Sequence, residues 1–262
     1  MPELPEVEVT RRALLPLVEG KRILYLRHRD PARYRGTERA AGLRVTSLVR
    51  RGKFLLFELE GPLWLVVHLG MSGGFRLSPT DHTRVVFELE DRSLFFHDPR
   101  RFGRLWVVDR PEEVPLIARM GPEPWDRGFT PDYLSERLGR SRRPVKAVLL
   151  DQTVVAGLGN IYADESLFLA GVRPTRPANQ VSRAEAERMV ETTRRVLESA
   201  ISAGGTTLKD KSYRRVDERI GYFQFRLSVY GRAGEPCPVC DAPIERTTIQ
   251  GRSAHYCPHC QR

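Results

Sequence analysis

The chain has 262 residues, of which 40% are hydrophobic, enough for two domains or one large one with a real core. Its net charge of +10 at pH 7 points to a polyanionic partner. An acidic membrane surface competes for that role, but there is no apolar run long enough to span a bilayer, no signal peptide and no basic amphipathic helix. All four cysteines stand at or beyond residue 237, which argues against a disulfide-stapled secreted scaffold and for a reducing cytoplasm.

The chain opens Met1-Pro2-Glu3-Leu4-Pro5-Glu6-Val7-Glu8. Pro2 is small, so an initiator methionine before it is normally trimmed, which would leave a secondary amine with two carboxylates close behind. A terminal amine titrates near about 7.7–8.0, so a useful fraction is neutral and nucleophilic at neutral pH. Such an amine attacks a sugar aldehyde carbon to form an iminium, the chemistry of a Schiff-base lysine. Two plainer readings remain open at this point. Prolines here stiffen the start of the chain, and Pro5 suits the first turn of a helix; with Met1 retained, the Pro2 nitrogen is an inert amide.

Residues 4–17 suit a first helix, with Val7, Leu14 and Leu17 on one face and Pro16 bending or ending it. From 22 to 109 the texture is that of strands: 23–26, 54–59, 64–67, 85–89 and 94–96 are β-rich runs, and Glu90-Asp91-Arg92 reads as a hairpin tip. Many short strands with turn signals predict a sandwich or barrel-like half. Residues 111–131 are proline-rich and read as a linker or loosely wrapped segment. Beyond them the pattern is helical. Residues 144–151 predict one short helix, and Asn160 caps the next, with Asp164 and Glu165 in its first turn. Ser182 with Glu185 forms a capping box, and Gly204-Gly205 stops the helix that follows. From about Phe223 the chain should turn to strand.

Cys237-Pro238-Val239-Cys240 and Cys257-Pro258-His259-Cys260 are two C-x2-C pairs with residues 241–256 between them. That spacing predicts a four-thiolate Zn2+ ribbon. Four cysteines close the tetrahedron, so the ion is structural, and His255 and His259 are expected at the surface. A redox pair would need a thioredoxin-like strand–helix setting, which is absent. The arm between the knuckles carries Arg246 and Arg252, placed on a hairpin to touch phosphate. Upstream, Gly157-Leu158-Gly159-Asn160-Ile161 joins two predicted helices. Glycines let backbone approach a ligand, and the free N–H groups of a helix start attract anions. Tight packing of two helices explains such a turn equally well; beside the +10 charge, phosphate contact is the better reading.

Together these segments resemble the formamidopyrimidine-DNA glycosylase / endonuclease VIII family. The opening heptad from Pro2 to Glu8 carries the resemblance. So do Arg51-Gly52-Lys53, His68-Leu69-Gly70-Met71-Ser72-Gly73, Asp98-Pro99-Arg100-Arg101-Phe102-Gly103, the glycine–asparagine turn and the four cysteines. Leu4-Pro5 and the 98–103 stretch look like the formamidopyrimidine branch. The resemblance implies an α+β chain. It would have an N-terminal two-layer β-sandwich with flanking helices over 1–128, a linker over 129–143, a helix–two-turn–helix domain over 144–224 and a zinc ribbon over 225–262. It implies a monomeric, cytoplasmic DNA base-excision-repair enzyme that removes oxidised purines (8-oxoguanine, formamidopyrimidines) from double-stranded DNA and nicks abasic sites by β,δ-elimination. No diffusible cofactor is needed.

By matching position, Pro2 would attack sugar C1′, Glu3 would protonate the ring oxygen, Lys53 would assist elimination and Glu6 would orient the terminus. Met71, Arg100 and Phe102 would fill the void left by the extruded base. Asn160, Arg252 and Lys146 would grip phosphates, and Cys237, Cys240, Cys257 and Cys260 would hold one Zn2+. Two departures stand out. Val9 replaces a frequent Thr, and the 209–222 loop over the flipped base is dense with charge, so lesion preference does not carry over. Competing readings are a catalytically silent sensor of damaged DNA and an endonuclease VIII-like preference for oxidised pyrimidines.

Overall fold

The computed structural model describes residues 1–208 and 213–262. They form two compact units, one of Met1–Arg119 with Ala200–Gln224, the other of Met120–Ser199 with Phe225–Arg262.

The first unit begins with α1 (Leu4–Val18), with Pro5 in its first turn and Glu3 as its N-cap. Val7, Leu14 and Val18 are buried on one face. Pro16 lies inside the helix and ends nothing. Nine strands follow: β1 (Ile23–His28), β2 (Tyr34–Arg35), β3 (Val45–Arg51), β4 (Phe54–Leu59), β5 (Trp64–His68), β6 (Gly74–Arg76), β7 (Thr83–Leu89), β8 (Ser93–His97) and β9 (Arg104–Val108). They make a four-stranded sheet, β1-β7-β8-β6, and a five-stranded one, β2-β9-β5-β4-β3. All pairings are antiparallel except the short β2–β9 pair. The expected sandwich is present.

Its core is aromatic. Phe75 packs edge-on to Phe87 at 5.1 Å and to Phe96 at 5.5 Å, with Phe57 alongside. Val7, Leu14 and Val18 of α1 join this cluster. So does Val216, from the returning segment. The proline-rich stretch is better ordered than expected: it holds a short helix α2 (Pro115–Ala118), and Val114 and Ile117 are buried.

In the second unit the expected linker over 129–143 contains α3 (Pro131–Gly139). Thr130 caps it, accepting from the Tyr133 N–H at 3.1 Å, while Leu134 and Leu138 are buried. A capped helix with two core anchors is part of the unit, not a tether. Then come α4 (Val145–Leu149), α5 (Asn160–Ala170) and α6 (Arg183–Ser202). α5 is buried nearly all round, its Asp164, Glu165 and Ser166 included, and runs through the interior. Ser182 and Glu185 form the expected box: the Glu185 carboxylate accepts the Ser182 N–H at 2.8 Å, and the Ser182 hydroxyl accepts the Glu185 N–H at 3.3 Å. Residues 223–226 form a single 3-10 turn, and strand structure begins only at β10 (Glu245–Ile249) and β11 (Arg252–Tyr256). The returning segment 200–224, expected in the helical domain, groups with the sandwich. Among the described residues no helix is long and apolar enough to cross a membrane.

Candidate active site and nucleic-acid interface

In the first unit the amino end is sunk into protein. Pro2, Glu3 and Glu6 are all buried, Glu3 to 3% and Glu6 to 2% exposure. Glu3 and Glu6 form a reciprocal capping box, an uncommon one built from two glutamates. One Glu6 oxygen accepts the Glu3 N–H at 2.8 Å, and the other accepts the Thr206 N–H at 2.8 Å. Glu6 thus ties the first residues to the returning segment and fixes where the Pro2 nitrogen lies. Glu8, one turn on, sits among Arg11, Arg12 and Arg50. Burial works to raise its pKa, but hydrogen bonds from Arg11 and Arg12 and the charges of Arg11 and Arg50 bring it down to about 2.

Lys53 occupies the two-residue turn between β3 and β4, where Arg51 pairs with Phe54, and is almost wholly buried. Nearby His68 at the end of β5 is held neutral: burial, then the charges of Lys53 and Arg104, lower its pKa to about 4. Its Nδ1 accepts the Gly70 N–H at 3.3 Å, and its ring lies 4.7 Å from Phe54.

Met71 and the pair Arg100 and Phe102 stand on two adjoining loops. Met71 is 37% and Phe102 56% exposed. Their two loops are locked by Asp98, which is fully buried. Its carboxylate accepts from the Ser72 hydroxyl at 2.9 Å and the Gly103 N–H at 2.7 Å, while Ser72 Oγ accepts the Arg100 N–H at 3.3 Å. Gly70 makes the approach possible: at φ 68°, a Cβ on it would lie 2.5 Å from the Phe102 carbonyl carbon. This role of Asp98 as a hub is not legible in the sequence. Its only local signal is an Asp beside a Pro in a loop.

Of the charged 209–222 loop, residues 209–212, Lys211 among them, lie outside the described residues. The rest docks on the sandwich. Val216 is in the core, Arg76 donates to the Arg214 and Arg215 carbonyls at 3.3 and 3.4 Å, and the Thr207 hydroxyl bonds Tyr213 and Gly221.

In the second unit Asn160 is the first residue of α5, and Gly159 takes the cap position assigned to it. Its side chain is therefore free to reach sideways, and its Nδ2 donates to Ser253 Oγ at 3.3 Å. Lys146 departs from expectation. It is 0% exposed, paired with Asp164 at 2.7 Å, and donates to the Ser253 carbonyl at 2.6 Å. In that position it ties α4 to α5 and β11. Asp164 also accepts the His255 N–H at 2.9 Å. Glu165 accepts three N–H groups, from Ser228, Val229 and Tyr230, at 2.8–3.0 Å. Burial raises its pKa, and those three donors oppose the rise. Both acids, expected as helix-dipole complements, are buried tethers. His255 is likewise buried, packed on Tyr230 and held by Asp164, rather than at the surface. The ribbon they support presents Arg252 to solvent just after the Gln250-Gly251 turn, whose residues have φ of 48° and 76°.

The four cysteine sulfurs lie within 4.8 Å of one another. Separations of 3.4 Å for Cys240–Cys257 and 3.9 Å for Cys237–Cys260 are too long for S–S bonds of about 2.05 Å. The Val239 and Cys260 N–H groups point at the Cys237 and Cys257 sulfurs, as they do where thiolates carry charge. This donor set fits one structural Zn2+.

Three family models match in order: the formamidopyrimidine-DNA glycosylase N-terminal domain over residues 1–105, the formamidopyrimidine-DNA glycosylase H2TH domain over 120–212, and the zinc finger found in FPG and IleRS over 234–262. Sandwich, helix–two-turn–helix and ribbon together define a DNA repair glycosylase. The chain belongs to the formamidopyrimidine-DNA glycosylase family. It is 55% identical to the formamidopyrimidine-DNA glycosylase of Thermus thermophilus, covering 100% of this chain and 98% of the relative. Against that of Deinococcus radiodurans it is 46% identical, with 100% and 97% covered. The crystal structure of the MutM (Fpg) protein of Thermus thermophilus, also 55% identical, superposes with a TM-score of 0.96 over 99% of this chain and 98% of that one. The Lactococcus lactis Fpg complex with abasic-site DNA, 32% identical, gives 0.91 with 99% of each chain covered.

Proposed function

We propose that this chain excises oxidised purines, 8-oxoguanine and formamidopyrimidines, from duplex DNA and then cuts the strand at the resulting abasic site. The amine freed at Pro2 by loss of Met1 is the nucleophile. It attacks sugar C1′ as the C1′–base bond breaks, and Glu3 delivers a proton to the ring oxygen, which opens the sugar to an iminium. The iminium acidifies the C2′ proton. Its removal expels the 3′ phosphate, and a second elimination expels the 5′ phosphate. Lys53, buried in the same unit as the amino end, assists these proton transfers. Met71, Arg100 and Phe102 fill the gap in the duplex, and Asn160 and Arg252 hold phosphates. Zn2+ supplies no chemistry; it keeps the ribbon folded. The protein acts in this reading as a cytoplasmic monomer at the chromosome.

One observation carries the reading: Glu6 clamps the N–H groups of Glu3 and Thr206, so the chain end is positioned rather than loose. The test is borohydride trapping. Protein with Met1 removed, mixed with a duplex carrying 8-oxoguanine opposite cytosine, should become covalently joined to the damaged strand. Tight binding without a trapped species would leave only a damage sensor. Preferential cleavage of a thymine glycol duplex would move the chain to pyrimidine lesions.

A further inference from the structure

Arg76, at the end of β6, takes no part in the reaction proposed above, yet it is a buried cation of the same unit, only 6% exposed. Among the described residues no carboxylate forms an ion pair with it. Its Nη1 instead faces three backbone carbonyls, of Phe75 at 3.0 Å, Arg214 at 3.3 Å and Arg215 at 3.4 Å. Burial pulls its pKa down, against the charge of Glu218. A cation kept from water by carbonyl dipoles alone is a poor way to fill a sheet, because an apolar side chain of similar volume fills the same place without the desolvation penalty. What an apolar side chain lacks is the grip on two consecutive carbonyls of the returning segment.

The gripped residues stand between two buried anchors. Val216, on one side, lies in the sandwich core. Tyr213, on the other, is 4% exposed, and its carbonyl accepts the Thr207 hydroxyl at 3.1 Å. Tyr213 and Glu6 meet at Gly205, which has φ 82°: a Cβ there would lie 3.0 Å from Glu6 Oε1 and 3.0 Å from Tyr213 Cε1. Burial, and after it the charge of Glu6, raises the pKa of the Tyr213 hydroxyl, as expected for a ring packed close to that carboxylate. The same Oε1 accepts the Thr206 N–H, and the other oxygen accepts the Glu3 N–H. Contacts therefore run without a break from Arg76, through residues 213–215 and Gly205, to the carboxylate that fixes the amino end.

We propose that Arg76 is a positioning residue for the amino-terminal amine. By clamping the 214 and 215 carbonyls it keeps Tyr213 and Gly205 pressed against Glu6, and so keeps Glu6 on the Glu3 N–H. The proposal rests on the reading of Pro2 as the nucleophile.

The test uses the full chain with Met1 removed and two variants. Arg76→Met keeps the length of the side chain and removes its donors; Arg76→Lys keeps the cation and one donor group. Amide exchange at Glu3 and Thr206 is measured without DNA. Single-turnover cleavage of a duplex with a preformed abasic site is measured per active molecule. Arg76→Met should exchange both amides about tenfold faster, since the clamp no longer opposes local opening. It should cut about tenfold more slowly, since a small misplacement of a reacting group costs that much or more. Its Kd for a duplex carrying a tetrahydrofuran site should stay within about twofold of wild type. Arg76→Lys should fall between wild type and Arg76→Met in both exchange and rate. A side chain serving stability alone would lower the melting temperature and the active fraction without slowing the molecules that remain folded, and that result overturns the proposal. So does a slower rate with unchanged exchange, or an equal loss of rate and duplex affinity. Should Arg76→Met not fold, Arg76→Lys decides: exchange and rate must both shift, and a shift in one alone overturns the clamp. Faster exchange in Arg76→Met, beside a wild-type protein that neither traps nor cleaves damaged DNA, would sink the Pro2 reading and leave the clamp standing.

Discussion

Both units bury ionisable side chains, and they put them to different uses. In the sandwich unit Glu6 turns its two oxygens to backbone N–H groups of Glu3 and Thr206, which fixes the amino end. In the other unit Lys146, Asp164 and Glu165 are spent on tying α4 and α5 to the ribbon, which places an exposed arginine. A buried charge is tolerable only with its partners in place. The first arrangement fails as chemistry when disturbed, the second as architecture.

The largest effects should come from the chemical end. Pro2→Gly should weaken strand cleavage far more than duplex binding, and Glu3→Gln should slow release of 8-oxoguanine by about 10²–10⁴-fold, the usual range for a lost acid–base group. Single-turnover base release measures the second; a Glu3→Gln protein of normal rate would break the assignment.

Next is the metal. Stripping Zn2+ with a chelator should unfold the ribbon and abolish tight DNA binding while the sandwich keeps its thermal transition, since four-thiolate sites supply about 10–16 kcal/mol of folding free energy. Loss of the sandwich transition as well would show that the two regions are not separable.

Lys146→Met comes third. It leaves Asp164 buried and unpaired, so it should cost about 3–5 kcal/mol in denaturant unfolding, and Asp164→Asn in the same chain should recover part of that. If Lys146→Met instead weakened DNA binding with full stability, Lys146 would be a phosphate ligand after all. Arg252→Ala should leave stability alone, weaken binding across sequences and lower the salt slope by about one.

The smallest effect concerns Glu8. Its pKa falls from an ordinary 4.5 to about 2 in the folded chain, so its contribution is whole above about pH 4.5 and is lost as pH falls towards 2. Glu8→Gln should flatten acid unfolding across that window.

What the sequence discloses depends on whether a feature is local. Cysteine spacing, the Ser182–Glu185 box and the hairpin at Glu90-Asp91-Arg92 are written within a few residues, and the structure has them. Met71 stands between Gly70 and Ser72-Gly73, a loop-like setting that agrees with its exposure. β3 is hard to read because Thr46, Ser47, Arg50 and Arg51 dilute its apolar residues, and β2 and β6 because they are only two and three residues long. Lys146 reads as a surface cation because nothing near it in sequence shows that Ser253, 107 residues away, will close over it. Asp98 and α3 hide for the same reason: their burial is decided by partners that spacing does not encode.

The sandwich is completed by chain that arrives late. Val216 sits in its core, and Thr206, 200 residues downstream of Glu6, supplies one of the bonds that settle the amino end. A ribosome making this protein therefore exposes the amino end early and its restraints last. The nascent strands must wait, partly unfinished, until most of the polypeptide has emerged, so a product truncated after residue 119 would display the amine without the geometry that directs it.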